Sequence, residues 1–485
     1  MSEGLSFSIV INTDGRREHL KRTIASLRFL TYDNFEVCVV HGPTTDGTKE
    51  LLQQHENEIK IASCPARNIA QSRNIGIALA AGDIVAFIDD DAIPEPEWLS
   101  DLAKSYRTAE VTAAGGFVYD NTGISFQTEF ETTDRLGYSD SSWRNAAPQT
   151  NFPFSAVYPH LLGTNCCFRR SALLDIRGFD EEYEYFLEET DVCCRLNDAG
   201  FKIDQRADAF VHHKYAPSQI RNERKLLSNW YPLIKNRIYF GLRNARHHHS
   251  LREIVEAGLR DIKRLGSDLH RRLADGNCEQ KDLERFNAQA DAAVEDGILR
   301  GLQQGRKLLS AETIAAFRSP FLRYEAGLAL ADRRVVCFLM EDGLSRHDEG
   351  TYDEGTSQVA YALAKAGHHV HIFAAVNGSG TVDFEDDVWI HRVPVRQFPP
   401  PTTSHAPAHL WNYSRTMLRE VEAVHARRPV SALYCPLWDS ELIALLPATP
   451  FPVIRGLPAT IECDQSSQRN DHNRLPATET TATRA

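Results

Sequence analysis

Three consecutive carboxylates, Asp89, Asp90 and Asp91, follow the apolar run Ile84-Val85-Ala86-Phe87-Ile88. Asp89 and Asp91 are two residues apart, so extended backbone projects them to one side. Two carboxylates on one side repel each other unless something positive lies between them. A divalent metal fills that role, with phosphate oxygens supplying its other ligands. The plainer role for such a run is a solvated turn at a strand end, where Asp is common. Arg73 lies in Gln71-Ser72-Arg73-Asn74-Ile75-Gly76, the start of the helix leading to the run. Its guanidinium near that edge would meet a diphosphate, or else form a surface ion pair.

These side chains need a frame. Five apolar residues in a row read as a buried strand of a parallel sheet. Ligands of open α/β sheets bind outside the carboxyl ends of the strands. Phe7-Ser8-Ile9-Val10-Ile11 is a first strand, with a loop of Asn12, Thr13, Asp14 and Gly15 after it. Residues 16–29 read as a helix, with Leu20, Ile24 and Leu27 on one face. Residues 35–40 are a second strand, residues 41–48 its loop, which contains Asp46, and Lys49 to Gln54 begin the next helix. This alternation predicts right-handed crossovers and a parallel sheet. The loops after strands one and two then open on the same edge as Asp89 to Asp91. Further on, Leu162 to Arg170 is a turn running into a strand, and Tyr185 to Leu196 carries Glu188, Glu189 and Asp191. Phe201 to Ile203 and Ala209 to His213 are the closing strands.

The ordered set Phe35-Glu36-Val37, Gly42 to Thr48, Ser72 to Gly76, Gly82-Asp83-Ile84, Phe87 to Asp91 and Pro94 to Leu99 resembles the inverting glycosyltransferases of family 2, which have the GT-A fold. The resemblance covers roughly residues 6 to 216. It implies a UDP-, GDP- or dTDP-sugar donor, held by Thr13, Asp46, Arg73, Asp89 and Asp90. It also implies a divalent metal, Mn²⁺ or Mg²⁺, on Asp91, Asp89 and a His after the last strand. That His is read as His212, with His213 the alternative. His41 stands where many members carry an acidic residue near the base, so the nucleobase is left open. Gly163, Thr164 and Asn165 resemble the segment lining the acceptor side. Inversion by single displacement requires a base to take the acceptor proton. A carboxylate suits when burial and a like-charged neighbour raise its pKa. The family pattern puts that role on Glu189, with Asp191 next, while Glu188 or Asp191 could instead cap a helix.

Residues 217–331 read as a helical extension or linker. Within it, Ser218 to Arg246 is expected to be one helix, with Trp230, Ile234, Ile238 and Leu242 as an apolar stripe. Lys225, Lys235, Arg237, Arg243 and Arg246 accompany that stripe. Such a helix either packs on the catalytic domain or forms a peripheral membrane surface facing a lipid-linked acceptor. Residues 332–462 begin a new α/β pattern. Val335 to Leu339, Gly350 and Gly355, Gly367 to Phe373, Ile390 to Pro394 and Ala432 to Asp439 resemble the N-terminal Rossmann-like half of family 4 glycosyltransferases of the GT-B fold. The donor-binding half of such an enzyme has no counterpart here, and residues 463–485 read as a disordered tail.

The chain has 485 residues and a net charge of −12, which argues against a general nucleic-acid binder. Its 10 cysteines form no Cys-x-x-Cys pair, and Cys166-Cys167 and Cys193-Cys194 read as small core residues. With neither a signal peptide nor an apolar run of membrane length, the expectation is a cytoplasmic protein, peripheral to the membrane at most. The leading reading is an α/β enzyme transferring sugar to a saccharide or lipid-linked acceptor. The alternatives are a nucleotidyltransferase on the same kind of sheet and a non-catalytic scaffold.

Overall fold

The computed structural model describes residues 4–142, 150–218, 220, 226–325, 327–340, 353–399, 407–436 and 449–456. Gly350, Lys225, the end of the Ala432 to Asp439 segment and the expected tail lie outside these residues. The chain divides into two compact units, Met1–Ala326 and Gly327–Ala485.

The first unit opens with β1 (Phe7–Thr13), α1 (Arg17–Leu27), β2 (Phe35–His41), α2 (Thr48–Gln53), β3 (Lys60–Ser63) and α3 (Ile69–Leu79). Then come β4 (Ile84–Asp89), β5 (Ala92–Pro94), α4 (Trp98–Ala103), β6 (Val111–Tyr119) and β7 (Phe126–Thr128). The short strands β8 (Thr132–Asp134), β9 (Ser139–Asp140) and β10 (Val157–Pro159) form a separate antiparallel sheet. After them run β11 (Cys166–Arg169), α5 (Arg170–Asp175), α6 (Glu188–Asp198) and β12 (Lys202–His213). The main sheet has the order β3-β2-β1-β4-β11-β6-β12-β5, with β7 added on β6. β1, β2, β3 and β4 are parallel, while β11 is antiparallel to both β4 and β6. The parallel half was expected. β11 is entered from a turn at Leu162 to Asn165, closed by the Asn165 N–H donating to Leu162 O at 2.9 Å, and runs opposite to both neighbours.

The sheet is buried on both faces. On β1 the pleat sends Val10 into one core, with Val85, Phe87, Phe168 and Phe179, and Ile9 and Ile11 into the other, with Ile88, Trp98 and Leu99. Asn68 caps α3, its side chain accepting from Gln71 N at 2.9 Å. Gly76 lets α3 approach β1, because a Cβ there would lie 2.4 Å from Val10 Cγ1.

The helices that complete this unit are α7 (Tyr231–Asn244), α8 (Leu251–Ala274), α9 (Gln280–Leu302) and α10 (Ala311–Phe317). The helix expected over 218–246 is therefore shorter. Pro232 stands in its first turn, where a missing N–H costs nothing. Further inside a helix its ring would clash with the preceding turn. The stripe Trp230, Ile234, Ile238 and Leu242 is buried against Leu265, Leu269 and Phe286. Lys235 and Arg237 are buried as well, so these two cations do not form an exposed basic face on α7. No helix among the described residues is long and apolar enough to cross one.

The second unit comprises β13 (Val335–Met340), α11 (Asp353–Lys365), β14 (His369–Val376), β15 (Thr381–Glu385), β16 (Val388–Pro394), α12 (Ala408–Arg427), β17 (Ala432–Pro436) and β18 (Val453–Gly456). Its sheet has the order β15-β16-β14-β13-β17-β18, parallel except for β15. The order reverses at β13, as in a Rossmann-like sheet. Gly367 supplies the turn into β14 at φ +98.

Candidate active site

In the first unit the strand order reverses between β1 and β4, and there the sheet opens into a cavity of about 780 Å³. That is within the range of small-molecule sites. Thr13 at the end of β1 and Asp89 at the end of β4 form its floor. Arg16, Arg73, Asp90, Gly163, Thr164, Glu188, Glu189 and His213 also line it.

Asp91 is buried beneath this floor. Its Oδ2 accepts from Ala216 N at 2.6 Å. Its Oδ1 lies 3.4 Å from His213 Nε2 and 3.4 Å from Arg16 Nη1, long for a hydrogen bond to either. Burial alone would raise the Asp91 pKa. His213, Arg16 and the Ala216 N–H outweigh it and hold the carboxyl well below the usual range. Asp90 is pushed up to about 7, by burial first, with Arg16 opposing and Asp91 adding to the rise. Arg16 Nη1 donates to Asp90 Oδ1 at 2.8 Å.

One ligand atom each from Asp89, Asp91 and His213 lies within 4.8 Å of the others. Two carboxylates and an imidazole, one oxygen lacking a close donor, fit a divalent cation. The histidine is His213, and the expectation of His212 is corrected. Successive residues on β12 point to opposite faces. His212 turns into the protein, where its Nε2 lies 2.9 Å from Glu95 Oε1, and stacks on Tyr119.

On the far wall, α6 begins with Glu188 and Glu189. Arg73 Nη1 donates to Glu188 Oε1 at 2.9 Å and lies 3.8 Å from Glu189 Oε2. Its guanidinium sits over the Phe87 and Phe179 rings, 5.7 and 5.3 Å from their centroids. Arg73 is therefore no surface ion pair: it is buried, against the acidic wall. The Glu188 pKa is raised, by burial first and by Glu189 second, against the pull of Arg73. The Glu189 side chain is 15% exposed and that of Glu188 6%, so Glu189 is the more accessible to a substrate. Beside them, His160 joins Glu131 at 2.8 Å and Thr190 at 3.0 Å.

Besides Asp91 and His212, three more expected site residues stay out of the cavity. Asp46 ties down its own loop, accepting from Thr44 Oγ1 at 2.5 Å, Thr48 Oγ1 at 2.6 Å and Arg17 N at 2.9 Å. A loop that turns at Gly47, φ +87, spends its carboxylate on nearby donors. Asn165 donates to Phe117 O and Ala209 O and accepts from Trp98 Nε1, all inside the core. Asp191 is fully buried. Arg195 Nε and Arg306 Nη1 each approach it to 2.7 Å, and Asn244 Nδ2 donates at 3.0 Å. It lies three residues past Glu188 on α6, and both of its oxygens are taken by donors. Arg16, by contrast, was missed. Its place one residue after the Asn12 to Gly15 loop, on the ligand edge, was the available signal.

Residues 8–177 match the family model described as glycosyl transferase family 2. A glucosyl-dolichyl phosphate glucuronosyltransferase of Haloferax volcanii is 26% identical over 228 residues, 43% of this chain and 69% of that protein. Glycosyltransferase AglE of the same organism is 28% identical over 161 residues, 31% of this chain and 53% of that protein. A pre-mycofactocin glycosyltransferase of Mycobacterium tuberculosis is 26% identical over 219 residues, 44% of each chain. The chain thus spans from under half to about two thirds of the length of these relatives. Among solved structures, S. aureus TarS 1–349 aligns with a TM-score of 0.40 at 16% identity, covering 65% of this chain and 83% of that one.

Proposed function

We propose that the chain, whose residues 8–177 match the glycosyl transferase family 2 model, moves a sugar, with inversion, from a nucleoside-diphosphate sugar to a saccharide or lipid-linked acceptor in glycan synthesis. The observation carrying this reading is one cavity with a cation-binding floor, Asp89, Asp91 and His213, facing an acidic wall, Glu188 and Glu189. Asp89, Asp91 and His213 would hold Mn²⁺ or Mg²⁺. When bound, such a cation neutralises charge on the leaving diphosphate.

The chain's own residues do the rest. Thr13 and Asp89 line the donor end, and Arg16 and Arg73 bring positive charge toward the diphosphate. Gly163 and Thr164 form the floor between donor and acceptor ends. Glu189 takes the acceptor hydroxyl proton as the oxygen attacks C1 of the sugar from the face opposite the diphosphate. Glu188 keeps its own proton beside it, and Arg73 holds the pair in place. The site lies in the first unit. The second unit has no transfer activity of its own in this reading and serves as a docking or acceptor-binding module, or as a remnant of a GT-B half. We place the protein in the cytoplasm, at the inner face of the membrane where the acceptor is lipid-linked.

The test is a panel of UDP-, GDP- and dTDP-sugars with Mn²⁺, with and without mixed glycan acceptors. Release of nucleoside diphosphate supports sugar transfer. Release of pyrophosphate would assign the site to nucleotidyl transfer.

A further inference from the structure

The backbone entering α6 is strained, and α7 clamps it. Phe186 and Leu187, immediately before Glu188 and Glu189, both have positive φ, +81 and +71. Two consecutive L-residues in that region are strained and persist only where the surroundings impose them. Asn236, on α7 and fully buried, supplies such a restraint: its Nδ2 donates to Tyr185 O at 2.8 Å and to Phe186 O at 3.0 Å. The residues flanking it act on the same loop. Lys235 Nζ donates to Glu182 O at 2.8 Å, and the Arg237 guanidinium lies 5.7 Å from the Phe186 ring centroid.

We infer that Asn236 is a positioning residue for the acidic pair. Its two hydrogen bonds hold the left-handed turn that aims Glu188 and Glu189 into the cavity. The inference rests on the proposed role of Glu189. It also gives α7, which lies beyond the family-matched segment, a part in the chemistry. Without the side-chain N–H₂, both carbonyls lose their donor and the turn can relax toward negative φ. That would rotate the start of α6 and withdraw Glu189 from the acceptor hydroxyl. A displacement near 1 Å is enough to cost roughly 10²-fold in rate.

The experiment compares the full chain with Asn236→Leu, close in size but without a donor, and with Phe186→Gly, alone and combined. Hydrogen exchange across 182–190 reads the clamp directly, whatever the chemistry proves to be. Asn236→Leu should speed that exchange, lower kcat for transfer by roughly 10²-fold and leave the KM for donor within about twofold. In the Phe186→Gly background, where glycine accepts positive φ without strain, the same substitution should cost less. Unchanged exchange in Asn236→Leu would overturn the clamp. Faster exchange with unchanged kcat would overturn its link to the acidic pair. A parallel loss of donor affinity would show general damage and overturn the positioning role. If the wild-type chain transferred no sugar, the proposed function alone would fall, and the exchange arm would still decide the clamp.

Discussion

Among the acidic residues of the site, accessibility rather than type separates the roles. Glu189 faces the cavity and Asp191, two residues on, is buried among Arg195, Arg306 and Asn244. Glu189→Gln should therefore lower transfer by roughly 10²-fold or more, with donor affinity nearly unchanged, the scale expected of a general base. Equal turnover in the two proteins would remove Glu189 from that role. Asp191→Asn should act on stability instead. Burial pushes the Asp191 carboxyl up, but Arg306, Arg195 and Asn244 outweigh it and leave it at about 2. A depressed folded-state pKa contributes stability above the ordinary carboxylate value of about 4. That contribution is lost as pH falls through about 2. Thermal melts from pH 6 down to 2 should show wild type converging on Asp191→Asn, and a constant gap would contradict the ion-pair assignment. The choice between neighbours is also where sequence reading was weakest. The Asp89-x-Asp91 spacing and a histidine at the end of the last strand were visible, but which of His212 and His213 faced the ligand depended on the phase of β12. Asp46 and Asn165 have the right chemistry and adequate positions, yet their polar atoms are consumed by a loop and by the core.

At the level of elements, the βα alternation, β4 and the turn into β11 followed from apolar runs and the loops between them. The length of α7 did not, because its apolar stripe continues in register past the point where Pro232 starts the helix. Packing on the catalytic domain was one of the two readings of its stripe, but Lys235 and Arg237 look like surface residues until their partners Glu182 and Asp261 are in place. The turn before β11 offers a check on how closely elements meet at the site. A Cβ at Gly163 would lie 2.4 Å from Arg73 Nη2. Gly163→Ala should displace the guanidinium from Glu188 and lower turnover by roughly tenfold or more, while the melting temperature falls by only a few degrees. Gly76→Ala, with its Cβ 2.4 Å from Val10 Cγ1, should do the reverse: destabilise the α3–β1 packing by about 1–3 kcal/mol. Activity assays paired with thermal melts on both variants separate the two effects. If Gly163→Ala matched wild-type turnover, Arg73 would have no part in holding the acidic pair.

Across the whole molecule, every residue assigned to the cavity lies within Met1–Ala326, which has its own cores. A protein ending at Ala326 should hydrolyse nucleotide sugars at close to the full-length rate, and the piece from Gly327 onward should not. Donor chemistry by that second piece alone, or its loss from a folded 1–326 protein, would contradict this division. The α/β pattern that restarts near Val335 falls in the unit Gly327–Ala485, and α7 to α10 fall in Met1–Ala326. Composition and periodicity alone do not separate a helix that completes a domain from one that links two domains. The most direct test of the account is nucleoside diphosphate release by Asp91→Asn beside wild type, at matched Mn²⁺ and donor, with thermal melts confirming the fold. The account predicts that the folded variant loses metal-dependent release by roughly 10²-fold or more, since Asp91 supplies one of the three ligand atoms of the Asp89, Asp91 and His213 cluster. Near-normal release by Asp91→Asn would contradict it.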